Sequence, residues 1–208
     1  GTAQAIFFNS GQVCVAGSRL YAHKSVFDNV LEKFVEASNF WQPRASLDPD
    51  GHMGPLVSDE QLNRVMGYIE DGKKAGASVA LGGDTPSSEG GYYVNPTVLV
   101  DVKPDMRVVR EEIFGPVLVA QRFDDLDEVA RQANDTTFGL AAGIWTNNLS
   151  AMHKLAAKLK AGTVWGNCHS MIDPALPFGG YKESGLGREQ GRQGVEAYTE
   201  LKSVIIAL

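Results

Sequence analysis

Apolar residues recur along the chain in two rhythms, and the rhythms alternate. In "VFDNVLEKFVEA" (26–37), Val26, Val30, Leu31 and Phe34 fall three and four apart, the spacing of one helical face, with Ser25 placed to cap its start. "DEQLNRVMGYIEDGKKAGA" (59–77) repeats the pattern behind Ser58, with Leu62, Val65, Met66 and Ile69 on one side. "DLDEVARQAND" (125–135) predicts a short helix, and "NLSAMHKLAAKLKAG" (148–162) a longer one ending on Gly162 as its C-cap. Residues 2–8 read as the back of a further helix. Between these lie extended runs. Residues 19–22, "SVALGG" (78–83) and "TVWGN" (163–167) are strand-like. "VLVAQRF" (117–123) is continuously apolar at its start, as a strand buried on both faces would be. "GLAAGIWT" (139–146) is a strand of small residues. "YYVNPTVLVDV" (92–102) is extended but broken by Pro96, which favours an edge or a bend. Strands alternating with helices of about a dozen residues predict an α/β fold, a mostly parallel sheet flanked by helices.

The connections are punctuated by glycine and proline at residues 9–17, 43–56 and 83–91. After Phe178 the text turns Gly-rich and polar, "GGYKESGLGREQGRQG" (179–194), and "YTELKSVIIAL" (198–208) closes as one long strand-like run. A strand at a chain end, beyond a detached loop, is suited to pair outside its own sheet.

Composition narrows the function classes. The 208 residues are 43% hydrophobic and 21% charged, ordinary for a soluble domain. A net charge of -6 with scattered Lys and Arg argues against nucleic acid as a partner. No apolar run approaches the roughly 18 residues of a membrane span, and no signal peptide is visible. Two cysteines, Cys14 and Cys168, are sparse use, consistent with a reducing, cytoplasmic setting. Gly1 opens in mid-pattern, so the chain reads as a fragment of a longer protein.

Four stretches invite chemistry. Cys14 stands between Gly11 and Gly17, which permit a tight turn and close substrate approach, with Ser10, Gln12 and Ser18 as polar neighbours. A lone cysteine is commonly a small core residue, and only its thiolate is nucleophilic; the setting here favours a nucleophile. In "REEIFGPV" (110–117) two adjacent glutamates precede a turn feeding the buried strand. They read either as a solvated helix end or as a carboxylate that accepts a ribose diol, with Phe114 beside a planar ring. "GLGREQG" (185–191) has glycines like a dinucleotide fingerprint, but no apolar strand leads into it, and it is rejected as a phosphate loop. Cys168-His169 suggests metal, yet strand neighbours point to opposite faces and no second ligand cluster lies near, so no metal site is expected.

"FFNSGQVCVAGSR", "REEIFGPV" and "LPFGGYKESGLGRE", in this order and spacing, resemble the aldehyde dehydrogenase superfamily, as do "MGPLVSDEQLNRVMGYI" and "YYVNPTVLVDV". The likeness covers nearly the whole chain. It implies the C-terminal catalytic part of such an enzyme, with residues 1–182 a nucleophile domain and 183–208 a tail with an oligomerisation strand. The N-terminal cofactor domain would be absent. By the resemblance, Cys14 is the nucleophile, its own N–H serving the oxyanion hole. Glu112 holds the nicotinamide ribose, with Phe114 beside it. Residues 167–178 line the aldehyde tunnel, with Asn167 at its start and Ile172 and Phe178 as walls. NAD or NADP is the implied cofactor, an aldehyde the substrate, and a homodimer or homotetramer the assembly. The implied chemistry is thiolate attack to a thiohemiacetal, hydride loss to a thioester, then hydrolysis. A Glu general base and an Asn oxyanion donor would lie upstream of Gly1, so the fragment alone is expected to be inactive. Rival readings are a coenzyme A-acylating relative and a non-catalytic structural or assembly relative. A cationic aldehyde such as betaine aldehyde calls for a cage of several rings, and only Phe178 is evident, which favours a hydrophobic, uncharged substrate.

Overall fold

The computed structural model describes residues 1–86 and 90–208; residues 87–89, within the expected 83–91 loop, lie outside it. The chain divides into two compact units, Gly1–Asp135 and Thr136–Leu208. Among the described residues no helix is long and apolar enough to cross a membrane.

The first unit is built on a four-stranded sheet. Its strands are β1 (Arg19–His23), β2 (Ser78–Leu81), β3 (Thr97–Val100) and β4 (Val117–Phe123), in the order β1-β4-β3-β2. β1 and β3 both run parallel to β4, and β2 closes one edge antiparallel to β3. The alternation of side chains explains why β4 is apolar throughout its first half. Leu99, Val117 and Val119 join a core with Val65, Ile69 and Val108 on one face. Val98, Leu118 and Ala120 join another with Ile6, Phe7 and Phe34 on the opposite face. The first face is covered by α3 (Asp59–Lys74) and α4 (Arg107–Arg110), the second by α1 (Thr2–Phe7) and α2 (Phe27–Ser38). α5 (Leu126–Asn134) follows β4, its start capped by Asp125, which accepts from the N–H groups of Asp127 and Glu128.

Local rules succeed and fail for identifiable reasons. Ser58 caps α3, its side chain accepting from Gln61 N. Ser25 does not cap α2. Its hydroxyl is bonded to His23 Nδ1 at 2.8 Å, and the helix begins at Phe27 behind Val26 with no side-chain cap. The serine is captured by the end of β1 before the helix can use it. Pro96 does not mark an edge strand, because β3 lies inside the sheet between β4 and β2. Proline is tolerated one residue before the ladder, which opens with Thr97 N–H donating to Pro116 O.

The second unit has two small ladders. β5 (Phe138–Gly139) pairs antiparallel with β8 (Tyr181–Lys182), and β6 (Ala141–Ile144) pairs parallel with β7 (Thr163–Gly166). The expected single strand over 139–146 is thus divided at Leu140, where the pairing partner changes. α6 (Leu149–Lys158) is capped by Asn148 and ends on Leu159 in an extended conformation, not on Gly162. Gly162 serves another purpose. A Cβ there would sit 1.6 Å from the Gly179 carbonyl oxygen, so its bare backbone admits the "PFGGYKES" segment against β7. Ser184 Oγ accepts from Gly139 N–H, and Glu183 N–H donates to Thr137 O, completing that clasp. α7 (Gly191–Glu196) follows, and residues 199–208 carry no helix or ladder in the single chain.

One polar network ties α3 and α4 to the turn before β4. Arg107 Nε and Nη2 donate to the Glu111 carboxylate at 2.9 and 3.0 Å, and Tyr68 Oη donates to it at 2.8 Å. Arg107 also pairs with Asp71. The Arg107 guanidinium first, then the Tyr68 hydroxyl, holds the Glu111 pKa down at about 2 from an ordinary 4.5. Burial, and then the same hydrogen bond, pushes the Tyr68 phenol up. A carboxylate depressed in the folded state stabilises the fold fully above its unfolded pKa and loses that contribution as pH falls through the folded value. The Glu111 contribution is therefore present above about pH 4.5 and lost towards about pH 2. Because the Glu111 side chain is 45% exposed, solvent screening keeps the effect small. Urea melts across pH 2–6 are expected to show Glu111→Gln with a shallower acid-side loss of stability than the parent chain. Identical acid limbs would refute the assignment.

Candidate active site

β1 and β4 are parallel neighbours, with Arg19 opposite Val119, so the segments leading into them emerge at the same end of the sheet. One is the cysteine loop; the other is the glutamate turn. This is the amino end of the strands, whereas ligands of open α/β sheets usually gather at the carboxyl end.

The cysteine loop leaves α1 through three left-handed residues, Asn9 (φ 50°), Ser10 (φ 58°) and Gly11 (φ 71°). Two of these carry side chains, and each such residue costs roughly 1–2 kcal/mol. Side-chain hydrogen bonds offset that cost. Buried Ser10 donates to Gly54 O at 2.7 Å. Gln12 accepts from Val57 N–H at 2.9 Å and donates towards Pro55 O at 3.4 Å, while Asn9 Nδ2 donates to Gln12 O at 3.0 Å. The chain then turns at residues 13–16, closed by Ala16 N–H to Val13 O, with Val15 buried and Cys14 exposed at the tip. Gly17 is held to α1 by its N–H to Ala5 O, and its bare Cα lies against Ala5. Cys14 is thus neither a core residue nor part of a disulfide.

The glutamate turn is pinned from α3. Gln61 Nε2 donates to both Ile113 O (2.9 Å) and Phe114 O (2.8 Å), and Arg64 Nη2 donates to Glu112 O at 2.7 Å. Ile113 is buried beneath, and Phe114 takes a left-handed φ of 57° that leaves its ring 38% exposed. The two glutamates have separate fates. Glu111 is committed to Arg107 and Tyr68, while the Glu112 side chain stands exposed on the same turn as Phe114. The two loops meet through bare backbone. A Cβ on Gly11 would lie 2.1 Å from Gly115 O, and one on Gly115 would lie 2.5 Å from Val65 Cγ2. The exposed thiol loop and the exposed Glu112/Phe114 turn are therefore locked side by side.

The remaining sequence-derived positions belong to the second unit. Asn167, left-handed at φ 54°, spends its amide on β6: Oδ1 accepts from Thr146 N–H and Nδ2 donates to Thr146 O. It extends the β6–β7 pairing by one side-chain rung. Ile172 is exposed, as are Met171 and Leu176 on the same loop. Asp173 accepts from Ala175 N–H, a turn that folds the loop back. Phe178 is half-buried and exchanges two backbone hydrogen bonds with Glu189. Cys168 is partly buried beside His169, whose ring packs on Trp165.

Sequence reading named Gln12 only as a polar neighbour of Cys14 and overlooked Gln61, Arg64 and Tyr68. These three recur at three and four residues along α3, flanking its apolar face, a periodicity that marks a second, polar function for the helix.

The profile of the Aldehyde dehydrogenase family matches residues 1–204. Phenylacetaldehyde dehydrogenase of Pseudomonas fluorescens is 45% identical over 208 residues, which is 100% of this chain and 41% of that protein. Betaine aldehyde dehydrogenase of Brucella anthropi is 42% identical over 97% of this chain and 42% of its own. An aldehyde dehydrogenase from Bacillus cereus, solved as an NAD+ complex, superposes with a TM-score of 0.94 at 50% identity, covering 98% of this chain and 41% of that one. The chain spans about two fifths of the length of these relatives. With one profile running through the thiol loop, the glutamate turn and the glycine-rich clasp alike, on a fold superposing at half identity, the chain belongs to the aldehyde dehydrogenase family.

Proposed function

We propose that a protein of full family length containing these residues oxidises an aldehyde to a carboxylic acid with NAD or NADP. The observation that supports this reading is the backbone contact between Gly11 and Gly115, which packs the loop bearing exposed Cys14 against the turn bearing exposed Glu112 and Phe114. The Cys14 thiolate adds to the carbonyl carbon, forming a C–S bond and a thiohemiacetal oxyanion, which the Cys14 N–H helps to hold. Glu112, free of the network that consumes Glu111, would accept hydrogen bonds from the hydroxyls of a nicotinamide ribose, with Phe114 beside that group. A bound nicotinamide would supply the hydride acceptor, and loss of hydride from the thiohemiacetal carbon leaves Cys14 acylated as a thioester. Water then releases the acid and regenerates the thiol. Sulfur suits both halves, being a strong nucleophile and a good leaving group.

The exposed apolar side chains of Ile172, Met171 and Leu176 support a hydrophobic, uncharged aldehyde, with Phe178 as a further wall. The closing segment, with Leu201, Val204, Ile205 and Ile206 exposed and no ladder of its own, is proposed to add to the sheet edge of a second copy in a homodimer or homotetramer. A reducing cytoplasmic setting suits its two free thiols.

In the full-length protein, Cys14→Ser is expected to lower turnover by on the order of a thousandfold or more. Glu112→Gln is expected to weaken dinucleotide binding by roughly tenfold, the worth of charged hydrogen bonds to a diol. Steady-state kinetics and dinucleotide titration check both, and full activity in Cys14→Ser would overturn the mechanism. The 208-residue chain alone is expected to reduce no NAD+ or NADP+ in the presence of aldehyde. In that same chain, limited alkylation followed by peptide mass analysis is expected to find Cys14 labelled ahead of the more buried Cys168. Equal labelling would count against a thiol presented for attack.

A further inference from the structure

The glutamate turn is held by more than Gln61 and Arg64, and the extra restraint converges on one buried phenol. Tyr68 is only 4% exposed, so it cannot reach a ligand on the turn's open side. Its hydroxyl donates to Glu111 Oε2 at 2.8 Å and receives Arg64 Nη2 at 3.3 Å, and that same nitrogen donates to Glu112 O at 2.7 Å. The guanidinium carbons of Arg64 and Arg107 lie 5.2 and 4.9 Å from the centre of its ring, within cation–π range. One side chain therefore touches the carboxylate of Glu111, the donor that fixes the carbonyl of Glu112, and the cation that clamps Glu111 from its other side. Packing alone would be satisfied by phenylalanine. The hydroxyl matters where two adjacent glutamates must be told apart, one bound by Arg107 and Tyr68 and the other left without such partners. A turn with Phe114 in the left-handed region also persists only if its surroundings over-determine it.

We infer that Tyr68 is a positioning residue for the cofactor-binding turn, holding Glu111 and Arg64 so that Glu112 and Phe114 are presented in one fixed arrangement. The inference rests on the reading of Glu112 as the ribose carboxylate, and the test separates the two. The full-length enzyme is compared with its Tyr68→Phe, Glu111→Gln, Tyr68→Phe/Glu111→Gln and Glu112→Gln variants. NADH or NADPH, whichever the parent produces, is titrated by its fluorescence, alongside kcat, aldehyde KM and the thermal midpoint.

Tyr68→Phe keeps the ring and its volume and removes one hydrogen-bonding group. It is expected to weaken dinucleotide binding about threefold, with aldehyde KM unchanged and kcat within about twofold. Glu111→Gln is expected to do the same, and the double variant to fall short of the product of the two, because both remove one contact. Unchanged dinucleotide affinity in Tyr68→Phe overturns the inference. So does a loss in which kcat, both KM values and the thermal midpoint move together, the mark of a merely structural role. If Glu112→Gln binds dinucleotide as tightly as the parent, the reading of the turn itself fails. If Glu112→Gln weakens binding and Tyr68→Phe does not, the inference about Tyr68 alone fails.

Discussion

Two glycines that leave no room for a side chain between their loops govern the first unit. Gly11 approaches the carbonyl of Gly115 more closely than any Cβ could allow, and Gly115 in turn lies against Val65 in the middle of α3. The contact joins three elements far apart in sequence: the cysteine loop, the glutamate turn and the helix that pins it. Backbone packed on backbone cannot change rotamer to accommodate a shift. Displacement of one loop must be matched by the other, and the spacing of Cys14 from Glu112 and Phe114 becomes a property of the main chain rather than of side-chain choice.

Sheet topology makes that contact possible. Parallel pairing of β1 with β4 places both entering loops at the amino end of the strands. Both faces of the sheet are buried, by Leu99, Val117 and Val119 on one side and by Val98, Leu118 and Ala120 on the other. A one-residue slip would exchange these two sets, so the register of β4 against its neighbours is tightly specified. The loops at the end of the sheet inherit that precision. They tolerate three consecutive left-handed residues and an off-centre Phe114 because hydrogen bonds from Ser10, Gln12 and Gln61 hold them there.

Much of this was legible in the residues. The helical spacing of Leu62, Val65, Met66 and Ile69 located α3, and the apolar start of "VLVAQRF" located a strand buried on both faces. Where prediction missed, a competing partner had overruled the expected rule, close in sequence for Ser25 and distant for Gly162. Ser25 is bonded by His23 instead of capping α2, and Gly162 admits a distant backbone instead of ending α6. A strand over 139–146 was expected whole because local pattern carries no information about a change of partner at Leu140. For the candidate site, Cys14 and the glutamate pair could be singled out by type and flanking glycines. Glu111 and Glu112 are the same residue type side by side, and what separates them, Arg107 and Tyr68, is visible only once α3 and α4 are folded against the turn.

That sorting of two identical residues exposes a constraint on this turn. On the proposed reading of Glu112, its carboxylate must remain unpaired in the folded chain, yet an unpaired carboxylate on a turn next to Arg64 and Arg107 would be drawn into their field. The chain resolves the conflict by offering those cations other acceptors. Arg107 is occupied by Glu111 and Asp71, and Arg64 by the Glu112 carbonyl and the Tyr68 ring. Glu111 is in this sense a decoy: it satisfies the positive charge beneath the turn so that its neighbour does not have to. The same logic explains why the network can be solvent-exposed and individually weak and still matter. Its contribution to stability is small, but its partners decide which of two adjacent carboxylates remains available at the end of the sheet.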